Sequence, residues 1–543
     1  MPPDFPDQDQ PPVEKRSVVS SFIFRFTNPS EPPVVALFQR SDKVRTYPHH
    51  LAPIAGCIET TDPTPLSAAW RELHEETTLD STTLTHWRTG KPFTFLDPSI
   101  NREWTIHPFA FKLTSPSTTT TPPIKTDWEH TNWSWYDPST ILTTTNNSIP
   151  TVPRLRTSLK RVYFESTLQP ARAAKTLSAG LDRLRTDHTS GSQELTSIAL
   201  VLFRDFIIHT GDLLLTHPEK WWETVRLAAW HLIKNGRESM GAATMNALVA
   251  VLDEIEDILA DEKTGAYCGN HTWERVLTVL DHHLASRKGR AEQVRDAFAN
   301  YVRFRFLHHG ESRDRLVVLT VSASSTIRDS ILDAYEGLDI DTLEVRVLES
   351  RPLFEGASVA ASLVSGFRSR VQDVPGKDLR VKVYTDAAAA VAADGVDLLL
   401  LGADRISVEK GVSNKTGSLP AVLSVRYASP EAQVVVLSDL EKINCPGSVV
   451  DDEHHEENDP AEVVSAWRND GVEAVRVLEE GMDGEFVDDQ GSSRVEVKNV
   501  YFEWVPLYMV DAFVSEEGVL DGGRIREKSN DLAETVNRYF EDL

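Results

Sequence analysis

A chain of 543 residues is too long for one hydrophobic core and implies roughly two to four domains. Hydrophobic residues are 40% of it and charged residues 25%, the balance of a soluble globular protein rather than a disordered one. The formal net charge is -26, with the excess acid towards the C-terminal end, so phosphate backbones and anionic membranes would repel the chain and neither is expected as a partner.

Residues 1–16 are rich in Pro, Asp and Gln with no apolar core, and read as a disordered leader rather than a signal peptide. Residues 17–150 form a first domain. Its pattern predicts strands over 18–26, 34–39, 104–113 and 133–136, with the Thr/Pro run at 118–123 as a loop. Pro150 and Pro153 punctuate its end. Residues 151–315 turn to helical spacing, clearest over 221–233 and 242–258, and predict an α-helical domain.

Residues 316–543 repeat strand, loop and helix, with strands expected at 316–321, 343–348, 381–384, 396–401 and 434–437. The first, fourth and fifth are nearly continuous in apolarity, as in strands buried on both faces of a parallel sheet. The second and third carry charges, as strands nearer an edge do. The fold expected is therefore α/β multidomain, ending in a doubly wound sheet. An acidic insertion at 451–457 reads as a solvated loop, with His454 and His455 exposed rather than metal-bound. The densest apolar run, 396–401, is too short to span a bilayer. The 3 cysteines, Cys57, Cys268 and Cys445, match no metal-ligand spacing and cannot all pair, which suits a reducing, cytoplasmic compartment.

Two segments carry chemistry. In the first, Thr64 suits a helix N-cap and Pro65 the first helical position. Leu66, Ala69, Trp70, Leu73 and Thr77 then follow a 3.6-residue stripe, and Glu72, Glu75 and Glu76 fall together on the other side. Adjacent carboxylates repel one another unless a cation lies between them, and hard oxygen ligands suit Mg2+ or Mn2+. A solvated acidic face is the duller reading of the same spacing. The complete arrangement, with Gly56 ahead of Arg71-Glu72-Leu73 and Glu75-Glu76, resembles the Nudix box, and the flanking strands resemble the Nudix α/β/α sandwich. Asp62 stands for the box's first Glu, the next spacer is one residue longer, and Thr78 replaces the closing Gly. The resemblance implies that Glu72, Glu75 and Glu76 hold the divalent cation, that Arg71 and Gly56 are structural, and that water attacks a diphosphate linked to another moiety.

In the second segment, polar residues follow the predicted strands: Ser322 and Ser324 after the first, Arg351 after the second, Asp386 after the third, and Asp404 and Arg405 after the fourth. Asn414 and Lys415 come shortly afterwards. Ligands of open parallel sheets bind at the carboxyl ends of the strands, and hydroxyls at a helix N-terminus with nearby cations make a phosphate cradle. Singly, each residue has a plainer role as a cap, turn or surface charge; their convergence favours a site. The segments Glu349-Ser350-Arg351-Pro352, Gly402-Ala403-Asp404-Arg405 and Asn414-Lys415-Thr416-Gly417 resemble the family of the initiation-factor-2B alpha, beta and delta subunits. That family includes methylthioribose-1-phosphate and ribose-1,5-bisphosphate isomerases. The helical segment around Arg237 is similar to its phosphate-contacting arginine.

The resemblance implies a sugar-phosphate or nucleotide-phosphate pocket formed by Arg237, Ser322, Ser324, Arg351, Asp404, Asn414 and Lys415, with Asp404 catalytic in the isomerases. Those enzymes also use a cysteine where Ser322 stands. An alkyl hydroxyl stays protonated where a thiol of pKa near ~8.5 exchanges its proton, so isomerase activity is disfavoured. The expected activity is hydrolysis of a nucleoside diphosphate linked to another moiety, fused to a phosphosugar-binding module. The alternative is an initiation-factor-like regulatory or assembly protein with translation initiation factor subunits as partners. The family implies a homodimer under either reading.

Overall fold

The computed structural model describes residues 13–27, 31–114, 124–143, 149–263, 270–307, 313–370, 374–447, 449–450, 458–483, 486–488, 491–493 and 495–543. The expected loops at 118–123 and 451–457, with His454 and His455, and residues 1–12 of the expected leader lie outside them. The chain divides into two compact units: Met1–Asp182 with Asp205–Glu223 and Leu543, and Arg183–Arg204 with Thr224–Asp542.

The first unit is built on strands β1 (Glu14–Arg25), β2 (Val34–Arg40), β3 (Leu51–Ala52), β4 (Leu84–Thr89), β5 (Phe93–Asp97), β6 (Arg102–Leu113) and β7 (His130–Tyr136). They form one mixed sheet in the order β3-β2-β1-β6-β4, with β5 beside β6 and β7 beside β2. Strand β1 runs parallel to β6 and begins at Glu14, inside the expected leader. Its first residues are charged, and they are held by Arg102 to Glu14 and by Lys15 to Glu103 at 2.9 Å. Strand β4 escapes the sequence pattern because a bulge between His86 and Arg88 breaks the period-two alternation. Helix α1 (Pro65–Thr77) packs on one face through Ala69 and Leu73 against Val19, Ile23 and Phe38. Helices α2 (Pro138–Thr143) and α3 (Leu155–Val162) contribute Ile141, Leu155 and Leu159 to the core on the other face, with Phe22 and Phe24. Odd and even residues of β1 thus serve opposite layers, as the pleat requires. This is the expected α/β/α sandwich.

Helices α4 (Ala171–Thr186), α5 (Ser192–Thr216), α6 (Pro218–Lys234), α7 (Gly241–Lys263) and α8 (Asn270–Phe306) make up the helical stretch, with residues of α4, α5 and α6 assigned to both units. The rest of the second unit holds β8 (Arg313–Thr320), β9 (Ile340–Leu348), β10 (Asp378–Tyr384), β11 (Leu398–Leu401), β12 (Arg405–Ser407), β13 (Gly411–Lys415), β14 (Gln433–Leu437), β15 (Phe486–Asp488), β16 (Gly491–Ser493), β17 (Phe502–Val505), β18 (Ala512–Ser515) and β19 (Gly518–Leu520). Its helices are α9 (Ser325–Gly337), α10 (Glu355–Arg370), α11 (Ala389–Ala392), α12 (Ser418–Ala428), α13 (Pro460–Asn469), α14 (Val475–Asp483) and α15 (Gly522–Phe540).

The large sheet runs β10-β9-β8-β11-β14-β18-β19, parallel except for β19. Leu398, Leu399, Leu400 and Leu401 of β11 are fully buried, dividing alternately between the two core layers, whereas β10 is a partly exposed edge. The expected centre and edge of the sheet are those observed. Strand order reverses between β8 and β11, so the crevice of this sheet opens where Ser322 and Asp404 follow their strands. Among the described residues, no helix is long and apolar enough to cross a membrane.

Candidate functional site

The carboxylates of the first unit are positioned by α1. Thr64 caps it by accepting a hydrogen bond from the Ser67 amide at 3.1 Å, and Pro65 opens its first turn. Thr78 ends it at φ 60°, the left-handed conformation that the box's glycine adopts freely. Glu72, Glu75 and Glu76 lie within about 100° of one another around the helix, with Glu76 turned to the interior, Glu75 to the surface and Glu72 between them. Glu76 is buried at 4% exposure, and Glu75 lies at the surface with Arg71 Nη1 at 3.3 Å.

Arg71 is the clamp of this site. It donates to both Asp62 oxygens at 3.1 and 2.9 Å, to the Cys57 carbonyl at 3.0 Å and to Glu72 at 2.7 Å. Asp62 thus takes a structural place beside Arg71, which holds its carboxyl low. Glu59 is exposed, and its backbone amide donates to Asp62 at 2.8 Å. A Cβ added to Gly56 would lie 1.9 Å from the Glu72 carboxyl carbon, so any side chain there would displace Glu72 from its observed position.

Three further residues converge here that sequence reasoning did not single out: Asp127, Glu129 and His130. The Asp127 amide donates to the Glu76 carbonyl at 3.3 Å, which brings the segment before β7 against the end of α1. Burial pushes the Glu76 carboxyl well up, and Glu129, Glu72 and Asp127 add to it by like charge. Burial also raises Glu72, opposed by Arg71, and raises Glu129. The buried His130 ring is pushed down to about 4 by desolvation, with Arg40 adding to the effect. Its Nδ1 lies 3.4 Å from Glu76 Oε2, yet neither atom has a hydrogen-bond partner. Among the described residues, no three Asp, Glu, His or Cys groups converge closely enough to hold an ion as they stand. The only sequence signal for these residues is an Asp-x-Glu-His run at the mouth of the last strand.

In the second unit, the carboxyl ends of the strands gather the expected polar groups. Ser322 adopts φ 80°, and its amide donates to Ser350 Oγ at 2.9 Å. Ser324 caps α9 by accepting from the Ile327 amide at 3.2 Å. Ser350, also left-handed, and Arg351 donate their amides to the two oxygens of Asp386 at 2.9 and 2.8 Å. Arg351 itself turns its guanidinium to Glu349 at 3.3 Å and Asp470 at 3.2 Å. Gly356, in the first turn of α10, packs against the end of β9, where a Cβ would meet the Leu348 carbonyl oxygen at 1.9 Å.

Asp404 stands at the centre of a ring of charge. Burial raises its carboxyl against the pull of Lys442, Arg237 and Lys415, and Glu355 adds to the rise. Lys415 is buried, with Nζ 2.8 Å from Glu355 Oε2 and 4.2 Å from the centre of the Tyr501 ring. Lys442 donates to the Ala403 carbonyl, Asn414 to Ser418 Oγ at 2.9 Å, and Arg237 to the Asp187 carbonyl at 3.1 Å. Arg405 lies instead over Trp504, 5.0 Å from the ring centre. Glu355 and Lys442 were not anticipated; each is an ordinary charge in sequence and meets the pocket only through the fold.

Comparison with known proteins agrees with both resemblances. The NUDIX domain family matches residues 15–155, and the Initiation factor 2 subunit family matches residues 223–522. Curated relatives include the methylthioribose-1-phosphate isomerase of Geobacillus kaustophilus, 28% identical over 182 residues, which are 33% of this chain and 42% of that one. Another is a probable bifunctional methylthioribose-1-phosphate isomerase/methylthioribulose-1-phosphate dehydratase of Nocardia farcinica, 28% identical over 36% of this chain and 30% of that one. The chain therefore spans less than half the length of these two relatives. Solved structures found include translation initiation factor eIF-2B of Pyrococcus horikoshii OT3, with a TM-score of 0.40, 17% identity and coverage of 65% of this chain and 97% of that one. Also found is eIF2B beta of Chaetomium thermophilum, with a TM-score of 0.44, 13% identity and coverage of 66% and 92%. The chain belongs to the initiation factor 2 subunit family and carries a NUDIX domain ahead of that module.

Proposed function

We propose that the first unit hydrolyses a nucleoside diphosphate linked to another moiety, with Mg2+ or Mn2+ held by Glu72 and Glu76. The observation that carries this reading is the buried Glu76 oxygen without a hydrogen-bond partner, next to Glu72 and under like charge from Glu129 and Asp127. Such a group costs free energy as it stands, and a cation among these oxygens relieves it. Glu75 joins the set only by leaving Arg71. When bound, the ion would neutralise the diphosphate and polarise its phosphorus. Arg71 fixes Glu72, Gly56 leaves room for it, and a carboxylate accepts the proton of the attacking water. A screen of nucleoside diphosphate compounds for Mg2+-dependent hydrolysis tests the reading.

For the second unit we infer a phosphosugar pocket around Asp404, Lys415, Asn414 and Arg237. The convergence of three cations on a carboxylate at the carboxyl ends of parallel strands supports it. Both curated relatives described above bear the name of an isomerase, so the expectation against isomerisation narrows: Ser322 argues against a thiol route, not against the reaction. Thermal shifts with ribose phosphates, and their loss in Lys415→Ala, test the pocket. A product of the first unit that serves as ligand of the second would give the fusion a metabolic purpose.

A further inference from the structure

Among the residues gathered around Glu76, His130 offers a nitrogen lone pair where the others offer carboxylate oxygens. It opens β7, is 5% exposed and lies beside the Phe38 ring, with 5.3 Å between the ring centres. Its Nδ1 lies 3.4 Å from Glu76 Oε2 and 3.7 Å from Asp127 Oδ1. Asp127 Oδ1 already accepts the Glu129 amide at 2.9 Å. Glu76 Oε2 and both His130 ring nitrogens have no hydrogen-bond partner among the described residues. A hydrogen bond from the ring to Glu76 is the plainer role for such a pair, but the contact does not make one. Its 3.4 Å exceeds the usual N–H···O range of roughly 2.7–3.2 Å, and both atoms stay unpaired. Two such buried atoms left side by side without partners cost free energy. Ligands of one ion meet a different requirement. At roughly 2.1 Å from the ion and about 90–110° apart, their donor atoms stand roughly 3.0–3.4 Å from each other and aim at the ion, not at one another. The His130 and Glu76 atoms have that spacing and that lack of a direct bond.

Resting on the reading of the first unit as a metal-dependent hydrolase, we propose that His130 Nδ1 is a ligand of its divalent ion beside Glu76, and that this nitrogen makes the site favour Mn2+ over Mg2+. Nε2 then carries the proton of the ring. An imidazole suits first-row transition ions, whereas Mg2+ takes hard oxygen donors and keeps its waters. Carboxylates alone would leave the choice between the two ions open. With His130 in the set, Mg2+ still enters at the oxygens but gains nothing from the nitrogen. The role is selection of the metal, and no step of the hydrolysis draws on the ring's proton.

The test loads the full chain with Mn2+ alone and reads the ion by pulsed electron paramagnetic resonance, with Mn2+ and Mg2+ affinities taken from calorimetry. The parent should show the modulation of a directly bound nitrogen, and that modulation should change when the histidines carry the heavy nitrogen isotope. It should also bind Mn2+ at least about ten-fold more tightly than Mg2+. His130→Asn should lose the nitrogen signal and at least about ten-fold in Mn2+ affinity, while its Mg2+ affinity stays within about three-fold of the parent's. The isotope exchange needs no variant, so it decides the matter even if His130→Asn fails to fold. Bound Mn2+ without a histidine nitrogen signal overturns the proposal and leaves the metal-dependent reading intact. So does a signal that survives in folded His130→Asn, or a parent that binds Mg2+ as tightly as Mn2+. A parent that binds neither ion removes both the proposal and the reading beneath it.

Discussion

Gly56 and Glu72 approach so closely that one added methyl group would overlap the Glu72 carboxyl, 1.9 Å from its carbon. The atoms it would meet are the far end of a flexible side chain, so Gly56→Ala should swing Glu72 out rather than break the sheet. We expect hydrolysis to fall by about 100-fold, the scale of an ångström-sized misplacement, with the melting temperature nearly unchanged. Assays and thermal melts of the same preparation check this. Parent-like activity would mean that Glu72 does not need its observed position.

The two left-handed serines of the second unit depend on Asp386, which accepts the Ser350 and Arg351 amides. Asp386→Ala removes both acceptors and frees the turn that holds Ser322. Calorimetry should find ribose phosphate affinity lower by about ten-fold, the equivalent of one hydrogen-bonded contact set lost. Asp386→Asn, which keeps one acceptor oxygen, should recover part of it. Equal affinity in all three proteins would separate this turn from the ligand.

Local chemistry was legible in the sequence and long-range pairing was not. The start of α1 could be read because Thr64, Pro65 and Ser67 act on neighbours within one turn. Its left-handed end at Thr78 followed from the box alone. The strand-end residues Ser322, Arg351 and Asp404 were readable because a parallel sheet gathers all carboxyl ends at one edge. Spacing brought Glu75 beside Glu72 and Glu76 but carried no sign that Glu76 is buried while Glu75 stays at the surface. Asp127 and Glu129 reach Glu76 through a backbone pairing that no periodicity announces. Strand β1 gained its charged start from ion pairs with β6, outside any hydrophobic signal.

A pH test bears on the sheet of the second unit. Glu344 of β9 is buried at 1% exposure and bound to Arg315, Arg346 and Lys382 at 2.6, 2.8 and 3.0 Å. Burial alone would raise its carboxyl, but hydrogen bonds from Arg346, Lys382 and Arg315 prevail and hold it down at about 2. A depressed carboxyl stabilises the fold above its ordinary value of 4.5, and that contribution fades as pH falls towards about 2. Glu344→Gln should therefore cost about 3 kcal/mol at neutral pH, as removal of one partner of a buried cluster does. The gap between parent and variant should close between those two pH values. Urea unfolding across the range checks it; a gap independent of pH would assign the loss to packing.

The hydrolytic role of α1 meets its most direct test in Mg2+-dependent phosphate release from a panel of nucleoside diphosphate compounds, measured for the parent beside Glu76→Gln. Turnover that requires the metal, with a drop of about a thousand-fold in the variant, is the expected result. A parent inert towards every compound, or a variant as active as the parent, would contradict it.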